Sequence, residues 1–456
     1  MRILNPADGS CIREVAEDAP EQIDDKVRRA RAAQHSWART PYADRAAIVQ
    51  RFRELLLERR EALATTLTRE VGKPIVQSHN ELRGVQDRID FFLEKTEAEL
   101  ADEVVATAST GTEERITFEP LGVVANVSAW NYPFFVGTNV FVPALLTGNA
   151  VVYKPSEYAT LTGIGIAELW RDAGVPDDVF SLVVGGGEAG KRLLDAPVDG
   201  VFFTGSYATG RRIAEQVAPR MLRLQLELGG KDPAYVTDDV DVAAAADAVA
   251  DGAFYNTGQS CCAVERIYVH EGIWDSFLEA FLQTVSRFVL GDPLDEGTTI
   301  GPLARRELAT DHLQAQVKDA LQRGARVLAG GLRRPGPGFF FEPTVLVDVT
   351  HDMLVMKEES FGPIIGVMKV RSDDEALSLM TDTEYGLTAA VYSRSRARAL
   401  GVLEELQVGT GYWNCCDRVS PRLPWSGRRH SGIGATLSSY GIEAFLLPKA
   451  YHLRGP

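Results

Sequence analysis

The chain has 456 residues, more than one hydrophobic core normally holds, so we expect two or three domains. Apolar residues make up 45% and charged residues 24% of the sequence, as in ordinary globular proteins. The formal net charge of −15 opposes binding to phosphate backbones and anionic lipid surfaces, so neither a nucleic-acid nor a membrane partner is expected.

The predicted elements begin with helices. Residues 20–100 are rich in Ala, Arg, Glu and Leu with helical periodicity, which predicts two or three amphipathic helices. From residue 103 to 123 the pattern becomes alternating and rich in Thr and Val, which predicts a β excursion.

Short apolar runs then alternate with helical segments. The runs that predict strands in this part begin at Val123, Ala150, Phe180 and Gly200. This alternation predicts a doubly wound parallel sheet, and such sheets bind ligands at the carboxyl ends of their strands. A second α/β section follows from about residue 233 to 414, with strand candidates at Ala234, Arg266, Ile364 and Ala389. The apolar stretch 444–454 suits the covering of a partner's sheet edge.

The cysteines and the first residues favour a cytoplasmic protein. The five cysteines include two adjacent pairs, Cys261–Cys262 and Cys415–Cys416, and neighbouring cysteines rarely bridge each other. No histidine and cysteine cluster has zinc-site spacing, so no metal is expected. The N-terminus turns polar at once, and no apolar stretch reaches the length of a membrane span. A reducing cytoplasm is the expected location.

Two segments carry residues suited to covalent catalysis. Cys261 follows Gly258-Gln259, where a glycine permits close backbone approach and leaves the thiol beside a free backbone N–H. Glu227 precedes two glycines that end an element and let the carboxylate project into a cleft. A thiol is the best nucleophile among side chains at neutral pH, and a semi-buried carboxylate suits a general base. The pair predicts a thioester formed on Cys261 and hydrolysed by water that Glu227 activates.

Six motifs in order resemble the aldehyde dehydrogenase superfamily, and the similarity spans nearly the whole chain. The motifs are Trp130-Asn131-Tyr132-Pro133-Phe134, Lys154-Pro155-Ser156-Glu157, Phe203-Thr204-Gly205-Ser206, Glu227-Leu228-Gly229-Gly230-Lys231, Gly258-Gln259-Ser260-Cys261 and Glu359-Ser360-Phe361-Gly362-Pro363. The resemblance implies an NAD(P)-dependent enzyme of the non-acylating type. The implied fold is α/β, with two doubly wound parallel-sheet domains and a small β oligomerisation element.

The resemblance also implies roles in catalysis. Cys261 would attack the aldehyde carbon to give a thiohemiacetal, hydride would pass to the nicotinamide, and Glu227 would activate the water that hydrolyses the thioester. The Asn131 side-chain amide and the Cys261 backbone N–H would form an oxyanion hole, in which one donor is worth about 3 kcal/mol. The substrate would be a small aldehyde, and the residues expected along its channel are Phe135, Asn139, Val419 and Trp425.

The cofactor residues follow from the same resemblance. They are Trp130, Lys154, Ser156, Glu157, Gly187, Gly205, Ser206, Glu359 and Phe361. Lys154 and Glu157 would hold the adenosine ribose, where a carboxylate repels a 2′-phosphate, so NAD is the expected cofactor with NADP as the alternative. Gly187 belongs to a G-x-G-x-x-G run that lacks the acidic residue of a Rossmann fingerprint, so it is expected only to border the cofactor.

By resemblance, residues 1–102 and 124–230 would form the NAD-binding domain, residues 231–432 the catalytic domain, and residues 103–123 and 433–456 the oligomerisation element. The expected assembly is a homodimer or a homotetramer. The sequence departs from the family where many members carry a Trp-Lys pair, because this chain has Asn139-Val140. The change removes a cation that could serve in proton relay and makes the channel more polar.

Four alternatives stay open at this point. Arg418 and Arg422 would indicate a semialdehyde dehydrogenase if they pair with a substrate carboxylate, and are otherwise solvated surface residues. An acylating dehydrogenase that uses coenzyme A is disfavoured by Glu227, the hydrolytic base. A cofactor-free cysteine hydrolase would need a histidine beside Cys261, and no histidine lies in a suitable motif. A non-catalytic protein with this fold is disfavoured because Asn131 accompanies Glu227 and Cys261.

Overall fold

The computed structural model of the chain describes residues 1–107 and 111–454, in which fifteen α-helices and eighteen β-strands follow one another. The elements up to residue 227 are β1 (Arg2–Leu4), β2 (Cys11–Glu14), α1 (Pro20–Trp37), α2 (Tyr42–Glu58), α3 (Arg60–Val71), α4 (Ile75–Glu99), β3 (Glu103–Thr107), β4 (Thr112–Pro120), β5 (Val123–Val127), α5 (Pro133–Leu146), β6 (Ala150–Lys154), α6 (Thr160–Ala173), β7 (Phe180–Leu182), α7 (Gly187–Asp195), β8 (Gly200–Thr204), α8 (Tyr207–Val217) and β9 (Arg223–Glu227). The remaining elements are β10 (Asp232–Val236), α9 (Val242–Phe254), β11 (Val264–His270), α10 (Trp274–Ser286), α11 (Leu313–Gln322), β12 (Arg326–Ala329), β13 (Thr344–Val347), α12 (Leu354–Lys357), β14 (Ile364–Val370), α13 (Asp373–Thr381), β15 (Thr388–Tyr392), α14 (Arg396–Leu403), β16 (Thr410–Trp413), β17 (Gly432–Ile433), α15 (Ser438–Glu443) and β18 (Leu446–Arg454).

Four helices, α1 to α4, occupy the region for which two or three were predicted. The extra boundary falls at Arg59, whose backbone leaves the helical region with φ −102° and ψ 12°, so α2 and α3 are separate. Gly72 then ends α3 in the left-handed region at φ 81°, which a glycine adopts without strain. Within the described ranges no helix combines the length and the hydropathy that a bilayer crossing demands.

The first large sheet has six strands in the order β17-β9-β8-β5-β6-β7. All neighbours are parallel except β17, which pairs antiparallel with β9. Successive side chains of a strand point to opposite faces, and here both faces are buried. Val124 and Val151 pack into one hydrophobic core, whereas Val123 and Val152 pack into another. This arrangement is the doubly wound parallel sheet that the sequence predicts.

The second large sheet has seven strands in the order β12-β13-β14-β11-β10-β15-β16. Only β12 runs antiparallel to its neighbour. Tyr235 and Val391 face one hydrophobic core, and Val236 and Ala390 face the other. The predicted fold class, α/β with two such sheets, is confirmed.

The third sheet is small and antiparallel, in the order β18-β4-β3. β18 pairs with β4 along its whole length, from Leu446 opposite Pro120 to Arg454 opposite Thr112. β3 exposes Val104 and Val105, whose exposed fractions are 60% and 61%. This sheet is the β element predicted from residues 103–123 and the apolar C-terminal stretch. Residues 108–110 and 455–456 of that prediction lie outside the described residues, and the predicted domain boundaries stay predictions.

Candidate active site

A single cavity of about 1460 Å³ brings together the residues predicted for catalysis, cofactor and substrate. Its lining includes Trp130, Asn131, Phe135, Asn139, Lys154, Ser156, Glu157, Gly187, Gly205, Ser206, Glu227, Cys261, Glu359, Phe361, Val419 and Trp425. A volume of this size exceeds the roughly 300–1,000 Å³ of a typical small-molecule pocket. It has room for a dinucleotide together with a small substrate.

The two sheets contribute opposite ends of their strands to this cavity. In the first sheet, β6, β8 and β9 end at Lys154, Thr204 and Glu227, and all three residues line the cavity. In the second sheet the contributing residues precede their strands, Cys261 before β11 and Glu359 before β14. Parallel strands place equivalent ends at one edge, so residues distant in the chain meet where the two edges face each other.

The backbone before Cys261 forms a tight coil. Asn256, Thr257 and Gly258 all adopt left-handed conformations, with φ angles of 53°, 58° and 71°. A Cβ at Gly258 would collide with the carbonyl oxygen of Gly362, so this position requires glycine. The coil leaves the Cys261 side chain partly exposed in the cavity.

The adjacent Cys262 is in a different environment. It is buried, and its thiol donates a hydrogen bond to Oδ1 of Asp417 at 2.8 Å. Hydrogen bonding to Cys261 and burial raise the pKa of the Cys262 thiol well above its ordinary value. Cys262 therefore stays a neutral thiol, which leaves Cys261 as the candidate nucleophile.

Asn131 lies beside the Cys261 coil. Its side-chain Nδ2 donates to the carbonyl oxygen of Gln259 at 3.1 Å, and that carbonyl also accepts from Nδ2 of Asn256 at 3.0 Å. An amide NH₂ carries two hydrogens, so this contact leaves one of them to donate to a ligand oxygen. The arrangement fixes an N–H donor on the wall that carries Cys261.

A buried ion pair, which the sequence does not predict, holds the segment that carries Asn131. Lys73 and Glu81 form a salt bridge in which both side chains are 0% exposed. Oε1 of Glu81 also accepts hydrogen bonds from the backbone N–H groups of Phe134 at 2.9 Å and Phe135 at 3.3 Å, in the first turn of α5. The Lys73 ammonium lies 3.8 Å from the centre of the Tyr132 ring.

The Glu227 carboxyl group is buried at the end of β9. Thr436 donates a hydrogen bond to Oε1, and Nε2 of Gln225 donates to the same oxygen at 3.2 Å. The Thr204 hydroxyl lies 3.5 Å from Oε2. Burial raises the pKa of Glu227 despite these hydrogen bonds. Thr436 and Gln225 were not predicted as site residues, because neither lies in a motif of its own.

One part of the cavity suits the adenosine and phosphate groups of a dinucleotide. Lys154 is buried, donates to the Pro155 carbonyl at 3.0 Å and lies 3.8 Å from the Glu157 carboxylate. Burial lowers the pKa of the Lys154 ammonium. Ser206 is the N-cap of α8, accepting from the Thr209 N–H at 3.4 Å. A helix N-terminus carries free N–H groups that suit phosphate. A Cβ at Gly187 would meet open space.

A second buried ion pair shapes the part of the cavity around Glu359. Nζ of Lys231 lies 2.6 Å from the Glu265 carboxylate. Glu265 in turn accepts hydrogen bonds from the backbone N–H groups of Ser360 at 2.8 Å and Phe361 at 3.0 Å. The Lys231–Glu265 pair thus holds the loop that carries Glu359. Glu265 was not among the residues predicted from the sequence.

Glu359 packs against the glycines that follow Glu227. Its Oε1 accepts from the Gly230 N–H at 3.0 Å, and a Cβ at Gly229 would collide with the carboxyl group. Burial raises the pKa of Glu359 to about 8. The neighbouring Phe361 ring meets the Trp130 ring edge-on, with centroids 5.5 Å apart. Hydrogen-bonding carboxyl oxygens beside two aromatic rings fit a ribose and a nicotinamide.

The remaining wall is lined by Phe135, Asn139, Val419 and Trp425. Arg418 also lines the cavity, but its side chain is 68% exposed and lies 3.7 Å from Asp251. Arg422 is exposed and is not part of the lining. Arg88 of α4, which was not predicted, is the buried cation of this wall.

The chain is similar to known proteins over nearly its whole length. The sequence model of the aldehyde dehydrogenase family matches residues 1–451. A succinate-semialdehyde dehydrogenase [NADP(+)] of Deinococcus radiodurans is 36% identical over 443 residues, covering 97% of this chain and 92% of that protein. A 3-sulfolactaldehyde dehydrogenase of Pseudomonas putida is 35% identical over 455 residues, covering 99% and 93%. The crystal structure of an NAD-dependent aldehyde dehydrogenase from Sinorhizobium meliloti superimposes with a TM-score of 0.96 at 34% identity, covering 99% and 91%. The chain belongs to the aldehyde dehydrogenase family.

Proposed function

We propose that this NAD(P)-dependent aldehyde dehydrogenase oxidises its aldehyde through a thioester on Cys261 that water hydrolyses. One observation carries the proposal. A partly exposed thiol, a buried carboxylate and a fixed amide donor line one cavity that also has room for a dinucleotide. These are the three groups that covalent oxidation followed by hydrolysis requires.

The first step belongs to Cys261 and Asn131. After the Cys261 thiol releases its proton to water, the thiolate attacks the aldehyde carbon, and the Asn131 amide donates a hydrogen bond to the oxygen on which negative charge develops. Its position is fixed before substrate arrives, because Nδ2 is already anchored on the Gln259 carbonyl. When bound, NAD(P) supplies the acceptor for the hydride. Loss of that hydride from the substrate carbon leaves a thioester on Cys261.

The second step belongs to Glu227. Its raised pKa makes the carboxylate a stronger base than an exposed glutamate, so it can take a proton from water near neutral pH. The hydroxide attacks the thioester carbon and releases the carboxylic acid and the Cys261 thiolate. Thr436 and Gln225 hold the carboxylate while it accepts the proton. This buried base favours hydrolysis over transfer to coenzyme A.

The residues that line the expected cofactor position favour binding of NAD over binding of NADP. Lys154, Ser156, Glu157 and Gly187 line the adenosine end, and the Glu157 carboxylate would repel a 2′-phosphate. Ser206 at the start of α8 would face the pyrophosphate, and Glu359, Phe361 and Trp130 the nicotinamide riboside. Phe135, Asn139, Val419 and Trp425 would contact the substrate.

We also propose a cytoplasmic homo-oligomer, dimeric or tetrameric. The support is the third sheet, β18-β4-β3, whose outer strand exposes two valines and whose other edge strand exposes Leu447 and Leu453. Exposed apolar strands at a sheet edge favour pairing with another copy. Size-exclusion chromatography with light scattering tests the assembly, and a monomer at micromolar concentration would refute it.

A panel of aldehydes with NAD and with NADP, ranked by kcat/KM, tests the function. Because two relatives are named for aldehydes that bear an acid group, the panel includes succinic semialdehyde beside neutral aldehydes. The Cys261→Ser variant should lose oxidation and keep NAD affinity. Cys415→Ser is the matched control, since Cys415 is partly exposed and does not line the cavity. Oxidation by Cys261→Ser at the wild-type rate would refute the proposed nucleophile.

A further inference from the structure

Arg88 is a buried cation on the substrate side of the cavity. It lies on α4, is 5% exposed and lines the cavity together with Asn139 and Phe135. Nη1 donates to Oδ1 of Asn139 at 2.8 Å and to the Phe135 carbonyl at 3.4 Å. The guanidinium also lies over the Phe135 ring, 4.0 Å from its centre.

The helix that carries Arg88 is shaped to admit this ring. Gly84 lies one turn earlier on the same face of α4, and a Cβ there would lie 2.8 Å from Cζ of Phe135. Because Gly84 has no side chain, the Phe135 ring fits beside α4 and under the guanidinium. The Asn139 amide then holds Nη1 from α5, at the position where many family members carry tryptophan. The orientation of Arg88 is therefore fixed from two helices.

No carboxylate in the described part of the chain forms a salt bridge with Arg88. Two buried carboxylates, Glu227 and Glu81, attract the guanidinium electrostatically. Glu227, however, is hydrogen-bonded by Thr436 and Gln225. Glu81 forms its salt bridge with Lys73. Asp87 also lines the cavity, although it is exposed and water screens its charge. Burial lowers the pKa of Arg88 to about 10, so the group stays charged at neutral pH.

A buried charge is costly unless it is paired and hydrogen-bonded. Two further donors of the guanidinium, Nε and Nη2, have no hydrogen-bond acceptor among residues 1–107 and 111–454. They belong to a planar fork that matches the geometry of a carboxylate or sulfonate. A ligand anion bound in the cavity would thus supply the counterion that the described residues do not.

We propose that Arg88 is the specificity-determining residue of the substrate cavity, and that it binds the anionic group of an aldehyde that bears a carboxylate or sulfonate. The inference rests on the proposed oxidation at Cys261. It assigns the anion site to a buried residue on α4 instead of the exposed Arg418 and Arg422. Asn139 acts as a positioning residue, because it holds the guanidinium without touching the anion.

The first experiment compares Arg88→Met with wild type for succinic semialdehyde, sulfoacetaldehyde and pentanal. Loss of the guanidinium should lower kcat/KM for the anionic aldehydes about 100-fold, mainly through KM, and change that for pentanal less than about threefold. Arg88→Lys should recover part of the loss. Arg83→Met is the matched control, since Arg83 lies exposed on the same helix and does not line the cavity. A larger loss with one of the two anionic aldehydes identifies the acid group that is preferred.

Equal losses for pentanal and succinic semialdehyde would overturn the proposal, because they would mean that Arg88 acts on Cys261 or Glu227. If Arg88→Met does not fold, Asn139→Asp provides the same test. That change places a carboxylate beside Nη1 and neutralises the cation internally. It should lower the ratio of kcat/KM for succinic semialdehyde to kcat/KM for pentanal about tenfold or more. Unchanged kinetics with the semialdehyde would count against the proposal.

A binding experiment separates this inference from the proposed function. Iodoacetamide alkylation of Cys261 is followed by peptide mass spectrometry with succinate or its neutral analogue succinamide present. Succinate should slow alkylation in wild type and in Arg83→Met but not in Arg88→Met, and succinamide should have no effect. Equal protection by both compounds, or protection that survives in Arg88→Met, would refute the anion site. If no aldehyde is oxidised at all, the proposed function fails while this measurement still tests Arg88.

Discussion

The Lys73–Glu81 pair gives a quantitative test of how the fold supports Asn131. Both side chains are 0% exposed, and Glu81 also accepts two backbone hydrogen bonds in the first turn of α5. Glu81→Gln keeps an oxygen acceptor for those N–H groups but leaves the Lys73 ammonium buried without a counterion. Breaking a fully buried pair from one side typically costs about 3–5 kcal/mol, so we expect a loss of that size in the free energy of unfolding.

The assay is urea unfolding followed by tryptophan fluorescence. The matched control is Glu54→Gln, which removes one partner of the exposed Arg51–Glu54 pair and should change stability by less than about 1 kcal/mol. The double variant Lys73→Met/Glu81→Gln removes both charges and should lose less than the two single changes added together. If Glu81→Gln shifts the unfolding midpoint no more than Glu54→Gln, the buried Lys73–Glu81 pair does not stabilise this segment.

Three further predictions concern the chemistry. Glu227→Gln should keep a pre-steady-state burst of NADH and stall turnover; loss of the burst would assign Glu227 to an earlier step. Because burial raises the pKa of Glu227, its carboxylate form becomes populated only at a pH above the usual range for a carboxyl group. The rate of hydrolysis should therefore increase as the pH rises toward neutrality. The rate of the NADH burst should follow a different pH profile. Turnover that does not change with pH between the usual range of a carboxyl group and neutrality would contradict this. Glu157→Gln should raise kcat/KM with NADP relative to NAD, measured with one aldehyde; an unchanged ratio would remove Glu157 from cofactor selection.

The elements of the two large sheets could be predicted from sequence because parallel strands are buried on both faces. In the sequence such strands appear as short continuous apolar runs, as at Val123, Ala150 and Ile364. Helical segments separate these runs, which indicates that strands and helices alternate. The number of N-terminal helices could not be predicted in the same way. The break at Arg59 lies among exposed residues 57–62, Leu-Glu-Arg-Arg-Glu-Ala, which include no glycine or proline to mark it in the sequence.

The residues of the cavity also differ in whether they could be predicted from the sequence. Cys261 lies three positions after Gly258 and Glu227 two positions before Gly229, and glycines in such places indicate a backbone constraint that can be recognised locally. Arg88 and Glu265 have no glycine within three positions, and Thr436 follows Gly434 but lies in no motif that was recognised. Each of the three reaches the cavity or its support only through contacts between distant segments. Arg88 in particular lies between charged residues of a helix and has the local sequence of a solvated surface residue. Only the packing of α4 against α5 turns it inward.

The short strand β17 has a consequence for the timing of activity. Gly432 pairs with Glu227, and Thr436 soon after it donates the hydrogen bond that orients the carboxylate. During synthesis, Gly432 and Thr436 are translated long after the coil that carries Cys261. On the proposed mechanism, a nascent chain would thus carry its nucleophile before Thr436 can orient the base, and would gain repeated turnover only when this late segment docks.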